Sequence, residues 1–139
     1  MSPTLEHGES VFVTRTDFPW NRLKRGDIVL LQRPRPGEGV YIKRIVGLPG
    51  EEIKMAAARV YADDLILPED YLASGPPAYA DRDSVIDRNW WNGPDEVFVL
   101  GDNRQASDDS RTFGPVSLDL VIGRVWCCCW PVGKLGALP

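Results

Sequence analysis

Several features that define common protein classes are missing from this 139-residue chain. It has a single histidine, His7, in a turn-like segment near the N-terminus, so a histidine-based catalytic triad is not expected. The net charge of -4 and the pI near 5.0 provide no basic surface for nucleic acid. No run approaches the roughly 20 apolar residues of a membrane-spanning helix. The sequence therefore predicts a globular protein that does not bind nucleic acid.

The cysteines are few and badly spaced for covalent or metal cross-links. The three of them are consecutive, Cys127 to Cys129. Neighbouring strand residues point to opposite faces, so a disulfide among them would be strained, and the spaced ligand pairs of a zinc site are absent. We interpret the triplet as small apolar residues of a strand, and we expect no metal and no other cofactor.

The chain consists mainly of short apolar runs separated by turns that contain Gly and Pro. A composition with 43% hydrophobic and 26% charged residues is ordinary for one globular domain spanning residues 1–139. The runs favour β-strands, and no amphipathic helix of normal length is evident, so we predict an all-β fold. Residues 67–94, rich in Pro, Gly, Asp and Asn, predict an irregular excursion with room for one short strand. Strands are expected at 9–14, 26–32, 40–46, 52–54, 59–61, 97–100 and 120–126.

One of these strands carries a lysine, Lys43, in the run Tyr41-Ile-Lys-Arg-Ile-Val46. Alternation along the strand puts Lys43 on one face with Tyr41 and Ile45, and Ile42 and Arg44 on the other. An apolar setting disfavours the ammonium form of lysine, and this can make its amine a base near neutral pH. Lys43 is therefore our candidate general base.

A polar loop, residues 101–116, follows the apolar strand 97–100. It concentrates Asp, Asn, Arg and Ser before a Gly-Pro turn, a composition typical of a loop held by its own hydrogen bonds. Such a loop could position the lysine. Its charges alternate in sign, and we expect mutual ion pairs rather than acid-base or metal chemistry. The residues that we expect to pair are Asp102, Arg104, Asp109 and Arg111.

These two segments, with Met1-Ser-Pro-Thr-Leu5 and Arg25-Gly-Asp-Ile-Val29, resemble the successive conserved boxes of the type I signal peptidases. The resemblance extends over essentially the whole chain. It implies a membrane-bound serine endopeptidase with a Ser/Lys dyad, which removes signal peptides from exported preproteins on the extracytoplasmic face. It also implies the coiled, barrel-like antiparallel sheets of the signal peptidase and LexA-type fold.

The resemblance assigns roles to individual residues. Lys43 matches the general base, and Ser107 matches the serine whose hydroxyl holds the lysine amine. Asp102, Arg104, Asp109 and Arg111 become scaffold ion pairs. Leu5, Tyr41 and Ile42 fall on positions that bind substrate, although general core packing explains Leu5 and Ile42 nearly as well.

The resemblance also implies a missing nucleophile. In the family the reactive serine directly precedes the Met of Met-x-Pro-Thr-Leu, which is Met1 here. We therefore expect that serine, and a membrane anchor, upstream of Met1, and we expect the chain as given to be inactive. Ser2 is one residue past the nucleophile position, so its side chain should face the wrong way. The tryptophans 90, 91, 126 and 130 are either core residues or contacts to the membrane surface.

Two alternatives stay open. A β domain that binds extended peptides without cleaving them would use the same groove through strand addition. A LexA-type self-cleaving regulator shares the dyad, but it would need a DNA-binding segment and an internal cleavage site, and neither is visible in the sequence.

Overall fold

Strands account for most of the regular structure in the computed structural model, which describes residues 1–15, 23–34, 37, 39–57, 59–72 and 88–138. The helical segments within these residues are one turn, α1 (Ser110–Phe113), and two 3-10 turns, Leu118–Leu120 and Val132–Lys134. The predicted all-β class is confirmed. The strands are β1 (Ser10–Arg15), β2 (Ile28–Gln32), β3 (Val40–Gly47), β4 (Glu52–Ala56), β5 (Arg59–Ala62), β6 (Leu65–Ile66), β7 (Arg88–Trp91), β8 (Glu96–Leu100), β9 (Val116–Ser117), β10 (Val121–Trp130) and β11 (Gly136–Ala137).

The larger sheet has seven antiparallel strands in the order β1-β10-β2-β3-β8-β9, with β11 also paired to β10. Its long strand β10 is irregular where it pairs with β1, because the register shifts twice. Gly123 is required at this contact, since a Cβ there would lie 2.2 Å from the carbonyl oxygen of Thr14. The two strands therefore approach more closely than any side chain at position 123 would allow.

The smaller sheet has four antiparallel strands in the order β6-β5-β4-β7. Its apolar side chains, among them Ile53 and Val60, form one core with Val46, Phe98 and Leu100 of the larger sheet. The opposite face of the larger sheet forms a second core, which contains Ile45, Val97 and Val99.

The central strands β3 and β8 consequently have both faces buried. Along β8, Val97 and Val99 enter one core while Phe98 and Leu100 enter the other, as alternation requires. Polar side chains on the neighbouring part of β3 are therefore removed from water as well. This position explains why Lys43 is only 9% exposed and Arg44 only 1%.

The predicted strands all occur, with shifted ends. The last one runs on to Trp130 and includes the cysteines, of which Cys128 is buried and Cys129 exposed, all three as free thiols. The short strand expected in the excursion is β7, whereas residues 73–87 of that excursion lie outside the described residues. Sequence patterns missed β6, β9, β11 and α1, because strands of two residues and a single helical turn depend on their partners rather than on local propensity.

Candidate active site

Lys43 lies in the middle of β3, paired with Val29 of β2. Its Nζ atom is 2.9 Å from Oγ of Ser107 and 5.0 Å from the centre of the Tyr41 ring. The two residues that the sequence assigned to the dyad and its support are thus in direct contact, although 64 positions separate them. This hydrogen bond is the centre of the candidate site.

The lysine amine is electrostatically unusual. Burial lowers the pKa of Lys43 from its ordinary value, while the carboxylates of Asp109 and Asp108 act to raise it and Arg111 acts to lower it. Burial is the strongest of these influences, because the ammonium loses water that the nearby charges do not fully replace. The neutral amine, which can accept a proton, is therefore favoured at lower pH than in an exposed lysine.

Gly101 allows the close approach of lysine and serine. A Cβ on Gly101 would lie 2.1 Å from Oγ of Ser107 and 3.5 Å from Nζ of Lys43. The space that this Cβ would occupy is already filled by the Ser107 hydroxyl, next to the Lys43 amine. A glycine at the end of β8 is therefore a steric condition for the contact between Lys43 and Ser107.

Asp109 fixes the shape of the polar loop. One of its carboxylate oxygens accepts the amide of Gly101 at 3.1 Å, and the other caps α1 by accepting the amide of Arg111 at 3.2 Å. The guanidinium of Arg111 also bonds both carboxylate oxygens, at 2.8 and 2.9 Å. Burial acts to raise the pKa of Asp109, but the bonds from Arg111, Gly101 and Ser107 together hold it below its ordinary value. Asp109 is thus a buried anion that organises the loop around Ser107.

A second buried ion pair attaches the N-terminal segment to this site. Arg44 bonds both oxygens of Asp102, at 2.9 and 2.8 Å, with each side chain only 1% exposed. Thr4 donates its hydroxyl to the same carboxylate and lies 3.4 Å from Arg44. Because Arg44 follows Lys43 and Asp102 follows Gly101, this network holds residues 1–5 next to the elements that carry the dyad.

Arg104, another charged residue of the loop, pairs with residues outside the loop. Its guanidinium bonds the carboxylate of Glu69 and the hydroxyl of Tyr71, the latter at 3.1 Å. The Tyr71 ring lies under Arg44 at 4.1 Å, and burial raises the pKa of its hydroxyl. The ion pair between Asp109 and Arg111, in contrast, joins two residues of the loop. No local pattern indicated Glu69 or Tyr71, because the contacts span more than thirty residues.

Sequence reasoning also overlooked Asp108. Its exposed carboxylate accepts a hydrogen bond from the Tyr41 hydroxyl at 2.6 Å. The Tyr41 ring stacks against Phe113 at 6.2 Å and lies 4.8 Å from the guanidinium of Arg33. Of the other two residues predicted to bind substrate, Leu5 is buried and Ile42 is half-buried.

Other residues singled out in the sequence lie apart from this cluster. His7 is exposed, and Ser2 donates its hydroxyl to Glu6 at 2.7 Å. Trp90 packs on Phe98, with ring centres 5.0 Å apart, whereas three other tryptophans are exposed. Those three are Trp91, Trp126 and Trp130.

The described part of the chain holds no cluster of three or more acidic, cysteine or histidine side chains that could bind a metal ion. Nor does any helix in that part have the length and apolar character needed to span a membrane.

Comparison with known proteins assigns the chain to a family. The family described as signal peptidase, peptidase S26, matches residues 1–130. The chain belongs to this family. Among solved structures, a signal peptidase I from Enterococcus faecalis V583 superposes on this family member with a TM-score of 0.63 at 34% identity, covering 74% of this chain and 96% of the other.

Curated relatives of this signal peptidase family member include proteins from bacteria and a plant. A signal peptidase I of Leptolyngbya laminosa is 36% identical over 99% of this chain and 68% of its own length. One from Bacillus caldolyticus is 31% identical, covering 94% of this chain and 75% of its own. The chloroplastic thylakoidal processing peptidase 1 of Arabidopsis thaliana is 30% identical over 97% of this chain. The chain spans only 41% of that plant protein, so its relatives contain further sequence.

Proposed function

We propose that this chain is the catalytic domain of a membrane-bound serine endopeptidase that removes N-terminal signal peptides from exported preproteins. The observation that carries the proposal is the 2.9 Å contact between the buried amine of Lys43 and the hydroxyl of Ser107. A lysine whose amine is deprotonated and held in one direction can activate a serine hydroxyl without histidine. Ser107 and the anion Asp109 provide that orientation.

The nucleophile in this proposal is a serine that directly precedes Met1 in the complete protein. Lys43 would take its hydroxyl proton as the serine oxygen attacks the scissile carbonyl, and the amine product would leave with a proton from Lys43. Water activated by Lys43 would then hydrolyse the acyl-enzyme. The attachment of Thr4 to Asp102 and Arg44 supports this arrangement, since it ties the segment after the nucleophile to β3. Without that serine, the 139-residue chain is proposed to be inactive.

The test compares three polypeptides on a synthetic signal peptide with alanines at the first and third positions before the cleaved bond. These are the chain as given, a version extended by a segment that ends in serine before Met1, and a matched version that ends in alanine. Cleavage is expected only with serine, and Lys43→Met in that version should abolish it. Cleavage by the 139-residue chain that is lost in Lys43→Ala would contradict the proposal.

Intact mass and N-terminal sequencing of the protein extracted from its source membranes test the same point independently. The proposal expects a serine next to Met1 and an apolar anchor before it. Tight binding of the peptide by the serine version without any cleavage would instead favour a non-catalytic domain that binds extended peptides.

We also propose that one end of the larger sheet contacts the membrane surface on the extracytoplasmic side. Several large apolar side chains there are 42% to 62% exposed, and they lie on β1, on β10 and on the segment after it. Indole rings are favoured at the level of lipid headgroups, where one edge is polar and the other apolar. The exposed residues are Phe12, Trp126, Trp130, Val132 and Leu135.

Co-sedimentation with phospholipid vesicles tests this surface. Trp126→Ala with Trp130→Ala is expected to release the chain from vesicles. Trp91→Ala is the matched control, because Trp91 is 68% exposed but belongs to the smaller sheet. Equal loss of binding in the control would contradict the assignment of this surface.

A further inference from the structure

Besides the contacts of Lys43 with Ser107 and of Arg44 with Asp102, another polar bridge joins β3 to the polar loop. The hydroxyl of Tyr41 donates to the carboxylate of Asp108 at 2.6 Å, next to the contact of Lys43 with Ser107. Tyr41 and Lys43 are two residues apart on the same face of β3, and Asp108 directly follows Ser107. Lys43 and Ser107 therefore each have a close neighbour in the bridge between Tyr41 and Asp108.

The Tyr41 side chain is held in place from other directions. Its ring stacks on Phe113 with an angle of 12° between the planes, and the Lys43 amine lies 5.0 Å from its centre. Arg33 contacts the same ring. With the ring fixed, the hydroxyl presents a donor at a defined place, and the exposed side chain of Asp108 is confined by bonding to it.

We propose that Asp108 is a positioning residue for Lys43. It ties the loop of Ser107 to β3 through Tyr41, and it keeps a carboxylate within electrostatic range of the Lys43 amine. This role rests on the proposed function of Lys43 as the base. The charges that act on Lys43 are those of Asp109, Asp108 and Arg111, all from the loop and α1. Asp109 is committed to Arg111, whereas Asp108 contacts the phenol of Tyr41.

The Tyr41 bond matters because an exposed carboxylate acts weakly on its neighbours when it moves freely in water. Removing the charge in Asp108→Asn favours the neutral amine. Removing the hydroxyl in Tyr41→Phe leaves the charge but releases it into solvent. Tyr41→Phe is therefore expected to shift the titration of Lys43 in the same direction as Asp108→Asn, but by a smaller amount.

Side-chain NMR of the 139-residue chain tests this without any cleavage reaction. The chain has four lysines, so the Lys43 signal can be assigned by its loss in Lys43→Arg. In Asp108→Asn, the midpoint of the Lys43 titration should move to lower pH, and the ratio of amine to ammonium at a fixed pH should rise about threefold, as for one partly screened charge. Asp108→Glu should restore most of the native midpoint.

The controls separate the possible outcomes. Asp119→Asn removes another exposed carboxylate, one that does not act on Lys43, and should leave the midpoint unchanged. Unfolding would move the midpoint up towards ordinary lysine, opposite to the expected change, so a misfolded variant cannot imitate the result. If Asp108→Asn unfolds, Tyr41→Phe carries the test.

An unchanged midpoint in folded Asp108→Asn overturns the proposal, and an unchanged midpoint in Tyr41→Phe overturns the part assigned to the hydrogen bond. In the serine-extended protein, the acidic limb of kcat/KM in Asp108→Asn should move to lower pH with the midpoint. If the midpoint moves but no version cleaves peptide, the proposed function fails while the electrostatic role of Asp108 stands.

Discussion

Replacing Gly101 with alanine is the most direct way to disturb the contact between Lys43 and Ser107, because it leaves both of these side chains chemically unchanged. The added Cβ would lie 2.1 Å from Oγ and 2.7 Å from Cβ of Ser107, where ordinary contacts begin at 3.4 Å. Ser107 must therefore move by about 1.3 Å, or the loop must shift with it. Either change stretches the 2.9 Å hydrogen bond to Lys43 beyond its useful length.

Two magnitudes are expected, one for the free energy of unfolding and one for the rate of cleavage. Overpacking of a well-filled site costs about 1–3 kcal/mol in the free energy of unfolding, so the domain should remain folded. A displacement of roughly 1 Å at a catalytic contact costs on the order of 100-fold in rate. We therefore expect Gly101→Ala in the serine-extended protein to stay folded while it cleaves peptide on the order of 100-fold more slowly.

Urea denaturation measures the first quantity, and peptide cleavage by the serine-extended protein measures the second. Gly133→Ala is the matched control, since a Cβ at Gly133 meets nothing within 4 Å and should change neither quantity. A folded Gly101→Ala protein that cleaves as fast as the parent would refute the reasoning. It would mean that Ser107 does not need its present distance from Lys43.

Three further predictions concern stability. Arg44→Met should lower the free energy of unfolding in urea by about 3–5 kcal/mol, because it leaves Asp102 buried without its partner, and Arg44→Met with Asp102→Leu should recover part of this loss. A double variant no better than the single one would count against that explanation. Gly123→Ala should remove hydrogen-exchange protection from β1 first, since the new Cβ meets the carbonyl of Thr14, and equal loss across β3 and β8 would speak against a local effect. Because the pKa of Asp109 is lowered by folding, its contribution is present above the unfolded value of about 3.9 and is lost as pH falls through the folded pKa. In thermal melts Asp109→Asn should therefore be less stable than the parent near pH 6, with a difference that shrinks below about pH 4, and a gap independent of pH would rule this account out.

Local sequence patterns predicted the all-β class and most strand positions, because short apolar runs between Gly and Pro turns are compatible with few structures other than strands. The identity of Lys43 and Ser107 as partners came from resemblance and not from spacing. Alternation along β3 correctly grouped Lys43 with Tyr41, since a strand has a period of two residues.

The partners of Arg104 and Arg44 could not be predicted from the sequence. Glu69 lies 35 residues before Arg104, and Arg44 lies 58 residues before Asp102. Only the assembled sheets bring such groups together. The hydrogen bond of Asp108 with Tyr41 was equally hidden, because an aspartate in a polar loop gives no sign of which donor it will meet.

Because side chains alternate between the two faces of β3, the number of residues in this strand decides which face each side chain reaches. Lys43 and Arg44 are consecutive, yet one side chain serves Ser107 and the other Asp102 on opposite faces. Deleting one residue between Val40 and Ile42 would exchange these destinations and place a guanidinium against the serine and an amine in the ion pair. The paired register of β2 with β3 reaches Gln32 and Val40, and changes of chain length between these two residues would preserve both assignments. Insertions and deletions are therefore expected to be tolerated between Gln32 and Val40 and eliminated from the strand itself.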